Sequence, residues 1–186
     1  IGGWSWNGTP FAGSREQRGL LVLLTMFNST DLKPSNNSLY EYRRGDRVER
    51  WYVARDIGAS LGDIRRMAPR KGHVEAFEKT PFILGVNNGY VELAAVAWYR
   101  ELVQNRITPE DVKWASGLLA QLTDRQWQDA FRAGAFEPDV AARFIRAIGY
   151  QFAPATYFCV NRVESVSREM STLPSSRSIC RSVTSP

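Results

Sequence analysis

The stretch Phe27–Gly62, FNSTDLKPSNNSLYEYRRGDRVERWYVARDIGASLG, decides how this chain is read. Two short polar clusters, STDLKPSN and RDIG, bracket a segment with the pattern of a strand hairpin. Leu39–Tyr42 and Arg50–Ala54 are the expected strands, joined by a turn around Gly45-Asp46. In the first cluster Asp31 and Asn36 stand five residues apart with Lys33 between them. In the second, Asp56 follows the apolar strand Trp51–Ala54 and is followed at once by Ile57 and Gly58. Such a hairpin would hold Asn36 and Asp56 near each other at its open end. Gly58 and Gly62 would let the chain turn sharply beyond it. The same residue types also build ordinary polar turns, because they cap backbone groups locally. The order of the two clusters around one hairpin is the more specific feature.

Protein kinases carry a catalytic loop of the form H-R-D-L-x-x-x-N and, after a hairpin, an Asp-Phe-Gly metal site. The segment DLKPSN resembles that loop, and Asp56-Ile57-Gly58 is similar to its metal-site partner. The departures are specific. Ser29-Thr30 stands in place of His-Arg, Ile57 in place of the phenylalanine, and no Ala-Pro-Glu follows. The atypical kinase-fold families (phosphoinositide kinases, HipA-type kinases and secretory-pathway kinases) depart at the same places. The chain resembles in particular an uncharacterised bacterial family carrying NNWDLK, a following asparagine and RDLGASLG. The resemblance runs from about Trp4 to Tyr150, and its mechanistic content lies in the two polar clusters.

The resemblance implies an α+β, mainly helical fold: a kinase-like large lobe with a catalytic-loop hairpin. It implies magnesium and ATP as cofactors and a phosphate acceptor of open identity. By motif position it implies Asp31 as base, Lys33 as phosphate contact, and Asn36 and Asp56 as magnesium ligands. Asn37 is the alternative for the asparagine role under a one-residue shift. Phosphoryl transfer asks mainly for positioning and charge neutralisation, which these residue types supply. An aspartate on a rigid loop can take the acceptor's proton. Asparagine and carboxylate oxygens are hard ligands suited to magnesium. A kinase also needs a small lobe with a glycine-rich loop, a lysine and a paired glutamate. Only 30 residues precede Asp31 and none reads as that lobe, so the expectation is a small lobe missing here and a longer protein. A non-catalytic kinase-like binding module is the alternative function, and a basic nucleic-acid-binding domain the third.

The chain of 186 residues is long enough for one domain with a real core, assigned to residues 1–150. Its 44% hydrophobic and 23% charged content is that of a globular protein. Of the net charge of +5, much comes from the end, where Arg162, Arg168, Arg177 and Arg181 face only Glu164 and Glu169. Elsewhere the charges interleave, which argues against nucleic acid as a partner. Cys159 and Cys180 lack metal-ligand spacing and read as a reduced pair, which favours the cytoplasm. No run is long enough to span a membrane. Residues 151–186, rich in Ser and Arg, read as a disordered tail.

Along the chain, Ile1–Gly13 reads as irregular. Ser14 with Gln17 is a capping-box pattern opening a buried helix, SREQRGLLVLLTMFN. The basic stretch Asp63–Glu78, with Arg65, Arg66, Arg70 and Lys71, reads as a solvated loop with His73 at the surface, and a phosphate or substrate patch is the alternative. Phe82–Val86 and Tyr90–Val96 flank Asn87-Asn88-Gly89, a hairpin signal. Three helices should follow: from Thr108 to about Gln121, from Thr123 to Gly134, and from Pro138 to Gly149. Val112, Leu118, Leu119, Leu122, Trp127, Phe131, Phe144 and Ile148 fall at helical spacing and are the expected core.

Overall fold

The computed structural model describes residues 2–65, 71–95 and 97–151. It is an α+β arrangement of helices and two small antiparallel sheets. The N-terminal segment is not irregular throughout. Gly2–Gly3 form β1, which pairs antiparallel with the hairpin through Gly2↔Leu39 and Gly3↔Ser38. Trp4 and Trp6 then bury their rings, and the Trp6 indole N–H donates to the Leu32 carbonyl at 2.7 Å. A tryptophan with a satisfied N–H can sit in a core, and this one carries the polar loop on its back.

Helix α1, Arg15–Met26, starts where the Ser14 side chain accepts from the Gln17 N–H at 3.2 Å. The expected capping box forms only in half. Gln17 turns its carbonyl to the Gly13 N–H at 2.6 Å and its amide to the Trp6 carbonyl, because the N-terminal segment folded over α1 offers it both. Leu21, Val22, Leu24 and Met26 are buried. Gly19 faces the Trp114 ring so closely that a Cβ there would overlap it.

The hairpin strands are longer than expected: β2 is Asn37–Arg44 and β3 is Arg47–Ala54, in register from Asn37↔Ala54 to Arg44↔Arg47. The turn is the expected Gly45-Asp46, with Gly45 at φ +60°. Strand pairing carries through the polar residues because every second facing pair exchanges two backbone hydrogen bonds whatever its side chains.

Asp63–Glu78 is not simply a solvated loop. Asp63 is buried and accepts from the Arg65 guanidinium at 2.7 Å, and Val74–Lys79 form α2 with Val74 and Phe77 in the core. His73 is exposed as expected, and its Nδ1 accepts from the Ala76 N–H at 3.3 Å as the cap of α2. Arg66 and Arg70 lie outside the described residues. A second hairpin follows, β4 (Ile83–Asn87) and β5 (Tyr90–Leu93), turning on Asn88 and Gly89 at φ +50° and +82°. Two positive φ values suit a tight turn that matches strand twist. The second strand stops at Leu93, before the expected Val96.

Helix α3, Pro109–Leu119, and helix α4, Asp124–Ala133, both open on complete capping boxes, Thr108 with Asp111 and Thr123 with Gln126. Gly134 closes α4 at φ −81°, and Ala135 takes the left-handed conformation instead. Helix α5 runs over residues 138–151, through Gly149 rather than ending there. A single glycine weakens a helix by about 1 kcal/mol but does not stop one that packs. Of residues 151–186, read as a tail, Gln151 is the last described residue of α5 and the others lie outside the described residues.

Phe77, Phe131, Phe136 and Phe144 form one aromatic cluster, with ring centroids 5.3–5.6 Å apart. Val112, Phe131, Phe144 and Ile148 are buried as expected, and Leu119 and Trp127 pack against them. Leu118 and Leu122 do not, at 43% and 39% exposed. Helix α3 turns Ala115 and Ser116 inward and lays the Trp114 ring against Gly19 of α1, which leaves Leu118 on the solvent side, and Leu122 lies beyond its end.

Candidate active site

The polar loop begins where α1 ends. Asn28, at φ +53°, is buried and donates its side-chain N–H to the Gly62 carbonyl at 2.7 Å. The Thr30 N–H and hydroxyl both reach the Ala59 carbonyl at 3.1 Å, and the Leu61 N–H donates to the Phe27 carbonyl at 2.8 Å. Residues 27–30 and 59–62 are thereby fastened to each other. Leu61 itself holds φ +60°, unusual for a branched side chain and kept by its neighbours.

Within that frame Asp31 accepts from Lys33 Nζ at 3.0 Å, and Asn36 Nδ2 donates to the Asp31 carbonyl at 3.1 Å. Pro34–Asn36 form one 3-10 turn, with proline supplying the helical φ at its start. The Arg55 N–H then donates to the Asn36 carbonyl at 3.2 Å, extending the hairpin ladder one step past Asn37↔Ala54. Asp56 comes next, exposed and at φ +56°, so the chain leaves β3 beside Asn36. Of the residues singled out in the sequence, Asp31, Lys33, Asn36 and Asp56 are therefore gathered at the open end of one hairpin. Asn37 is not part of the cluster: it is buried, its amide nitrogen lacking a hydrogen-bond partner among the described residues.

The electrostatics agree with this grouping. The hydrogen bond from Asp31, and then its charge, hold the Lys33 ammonium above its ordinary pKa, with a smaller contribution from Asp56. Tyr99 also belongs here. Burial, and then the Asp31 carboxylate, push its phenol up, while Lys33 pulls it down. It also lines a small cavity with Asn28, Ser29 and Leu32. Nothing in the sequence near Ala97–Leu102 pointed to it, because its place comes from a 3-10 turn after the second hairpin.

Among the described residues no three His, Cys, Asp or Glu side chains group to hold a metal. The donor set fits a cation that keeps water and phosphate ligands. No hydrogen bond or ion pair occupies the Asp56 carboxylate among the described residues. Asn36 must turn its nitrogen to the Asp31 carbonyl, since a carbonyl only accepts, and this leaves its Oδ1 available. No known protein family, curated protein or solved structure matches the chain. No helix among the described residues is long and apolar enough to cross a membrane.

Proposed function

We propose that the chain is the large lobe of a magnesium- and ATP-dependent phosphotransferase of atypical kinase type. The observation that carries this reading is the hydrogen-bonded loop in which Asn36 holds the Asp31 backbone, Lys33 meets the Asp31 carboxylate, and the ladder step Arg55–Asn36 delivers Asp56. In the proposed reaction an acceptor hydroxyl oxygen bonds to the γ-phosphorus, the bond from that phosphorus to the bridging oxygen breaks, and the hydroxyl proton passes to Asp31. Asp31 is half-buried on a fastened loop, so it can aim that hydroxyl without first ordering itself. Lys33 is cationic, half exposed and placed to meet charge on the transferred group. Asp56 and Asn36 Oδ1 would hold bound magnesium, which neutralises the phosphates.

Calorimetric titration of the complete protein with magnesium–ATP, together with a radiolabelled transfer assay, tests this. Asp56→Asn is expected to abolish nucleotide binding. Asp31→Asn should keep binding and lower transfer by roughly 100- to 10,000-fold. Undiminished binding in Asp56→Asn overturns the metal assignment. Binding without any turnover in the wild type replaces the enzyme with a non-catalytic module.

A further inference from the structure

We infer that the outward face of the β2–β3 hairpin is a stacking platform for single-stranded nucleic acid. The argument is independent of the phosphotransferase reading and begins with how folding sorts the hairpin's charges. In sequence the arginines and glutamates of residues 37–55 interleave. Side chains in a strand alternate between faces, and residues directly opposite share one. The register Leu39↔Tyr52 and Glu41↔Arg50 puts those residues on the inner face. There Tyr52 packs against Trp4 and Phe11, Glu41 and Arg50 pair at 2.7 Å, and Arg43 stands opposite Val48.

The register Tyr40↔Trp51, Tyr42↔Glu49 and Arg44↔Arg47 puts three aromatic rings and two arginines on the other face. Arg55 joins them, donating to Ser38 Oγ at 3.0 Å and Tyr40 Oη at 3.4 Å. Against these three arginines stands one carboxylate, Glu49, which lies 3.8 Å from Arg44. Neither Arg47 nor Arg55 has a carboxylate partner among the described residues.

Tyr42 and Trp51 are 49% and 53% exposed. One exposed ring is ordinary, but exposed rings set side by side make a patch of the kind that serves contact. The Tyr40 and Tyr42 rings lie 6.5 Å apart with planes 28° from parallel, and Trp51 meets Tyr42 edge-on at 5.5 Å. Flat rings bordered by guanidinium groups match a strand of unpaired bases with its phosphates alongside. A protein partner would find little to bury here, since Val53 is the one aliphatic side chain on this face.

Fluorescence anisotropy of the full chain with a labelled oligothymidylate of about 12 nucleotides tests the assignment. The single strand is expected to bind more tightly than a duplex of matched length. The logarithm of affinity should fall with the logarithm of salt at a slope of about −2, for three phosphate contacts. Trp51→Ala and Tyr42→Ala should each weaken binding roughly 5- to 150-fold, and Trp51→Phe should restore most of it. Both rings are half exposed, so the alanine variants should melt with the wild type. If either does not, Arg47→Gln, with a slope shallower by about 0.7, tests the face alone. Equal affinity for the duplex, unchanged binding in both alanine variants, or equally good displacement by polyglutamate (an acidic polymer without bases) would each overturn the proposal.

Discussion

The polar loop around Asp31 and the aromatic cluster around Phe144 use opposite means to hold a chain in place. The cluster has no polar group to satisfy: Phe77 and Phe144 are fully buried, and stability follows from the area removed from water. The loop sends Leu32 into the core, with Phe27 and Leu61 against it, and is otherwise fixed by hydrogen bonds between residues 27–30 and 59–62. It also keeps Asn28, Asp56 and Leu61 at positive φ, and leaves Asn28 Oδ1 and Ser29 Oγ buried without a partner among the described residues. Each such polar atom costs about 1–3 kcal/mol. A region made this way is a poor source of stability and a good place to hold charged groups still. The helical half supplies the free energy that lets the loop keep its strain.

The comparison is broken most directly at the cluster. Phe144→Ala removes a ring in contact with three others and should cost about 3–5 kcal/mol, read as a lower midpoint in denaturant titration. A loss under about 1 kcal/mol would mean that the helices are not the stabilising half.

Next comes Asp111, a buried carboxylate joining α3 to α1, which accepts from Arg18 at 2.7 Å and from the Thr108 N–H at 3.0 Å. Burial pushes its carboxyl up, but the bonds from Arg18 and Thr108 outweigh that and hold it below its ordinary pKa. Asp111→Ala should cost about 2–3 kcal/mol, since it strips both a cap and a partner from the partly exposed Arg18. The sign of the pH dependence is fixed by the depressed value. The carboxylate stabilises fully above its unfolded pKa of about 3.9 and loses that contribution as pH falls through the folded value. The gap between wild type and variant should therefore be flat above about pH 5 and close on acidification, as followed by thermal melts. A gap that widens toward low pH would contradict the pairing.

The smallest effect on stability is expected in the polar loop. Lys33 is 49% and Asp31 27% exposed, so their pair should contribute little, and Asp31→Asn should change unfolding by no more than about 0.5 kcal/mol. A larger loss would make Asp31 a structural residue and remove the contrast between the two regions.

Much of this was legible because it is local. Thr108, Thr123 and Ser14 cap the helices they precede, and Gly45 and Asn88-Gly89 turn the hairpins, since caps and turns depend on a few neighbouring backbone groups. The spacing of Asp31, Lys33, Asn36 and Asp56 could likewise be read, because one hairpin closes the distance between them. What could not be read is which side of each element meets another. Leu118 and Leu122 lie at core spacing yet face solvent, because α3 meets α1 through Ala115, Ser116 and the Trp114 ring over Gly19, and Leu122 falls past the helix end. Trp4 and Trp6, in a segment without period, became core when Gly2–Gly3 joined the sheet. The meeting of Tyr40, Tyr42, Trp51 and three arginines on one hairpin face, and the arrival of Tyr99 beside Asp31, are of the same kind. The sequence by itself determined the caps, the turns and the polar loop, because hydrogen bonds within a few residues decide them. Only the tertiary structure decided burial, since apolar free energy depends on which surfaces meet and carries no direction along the chain.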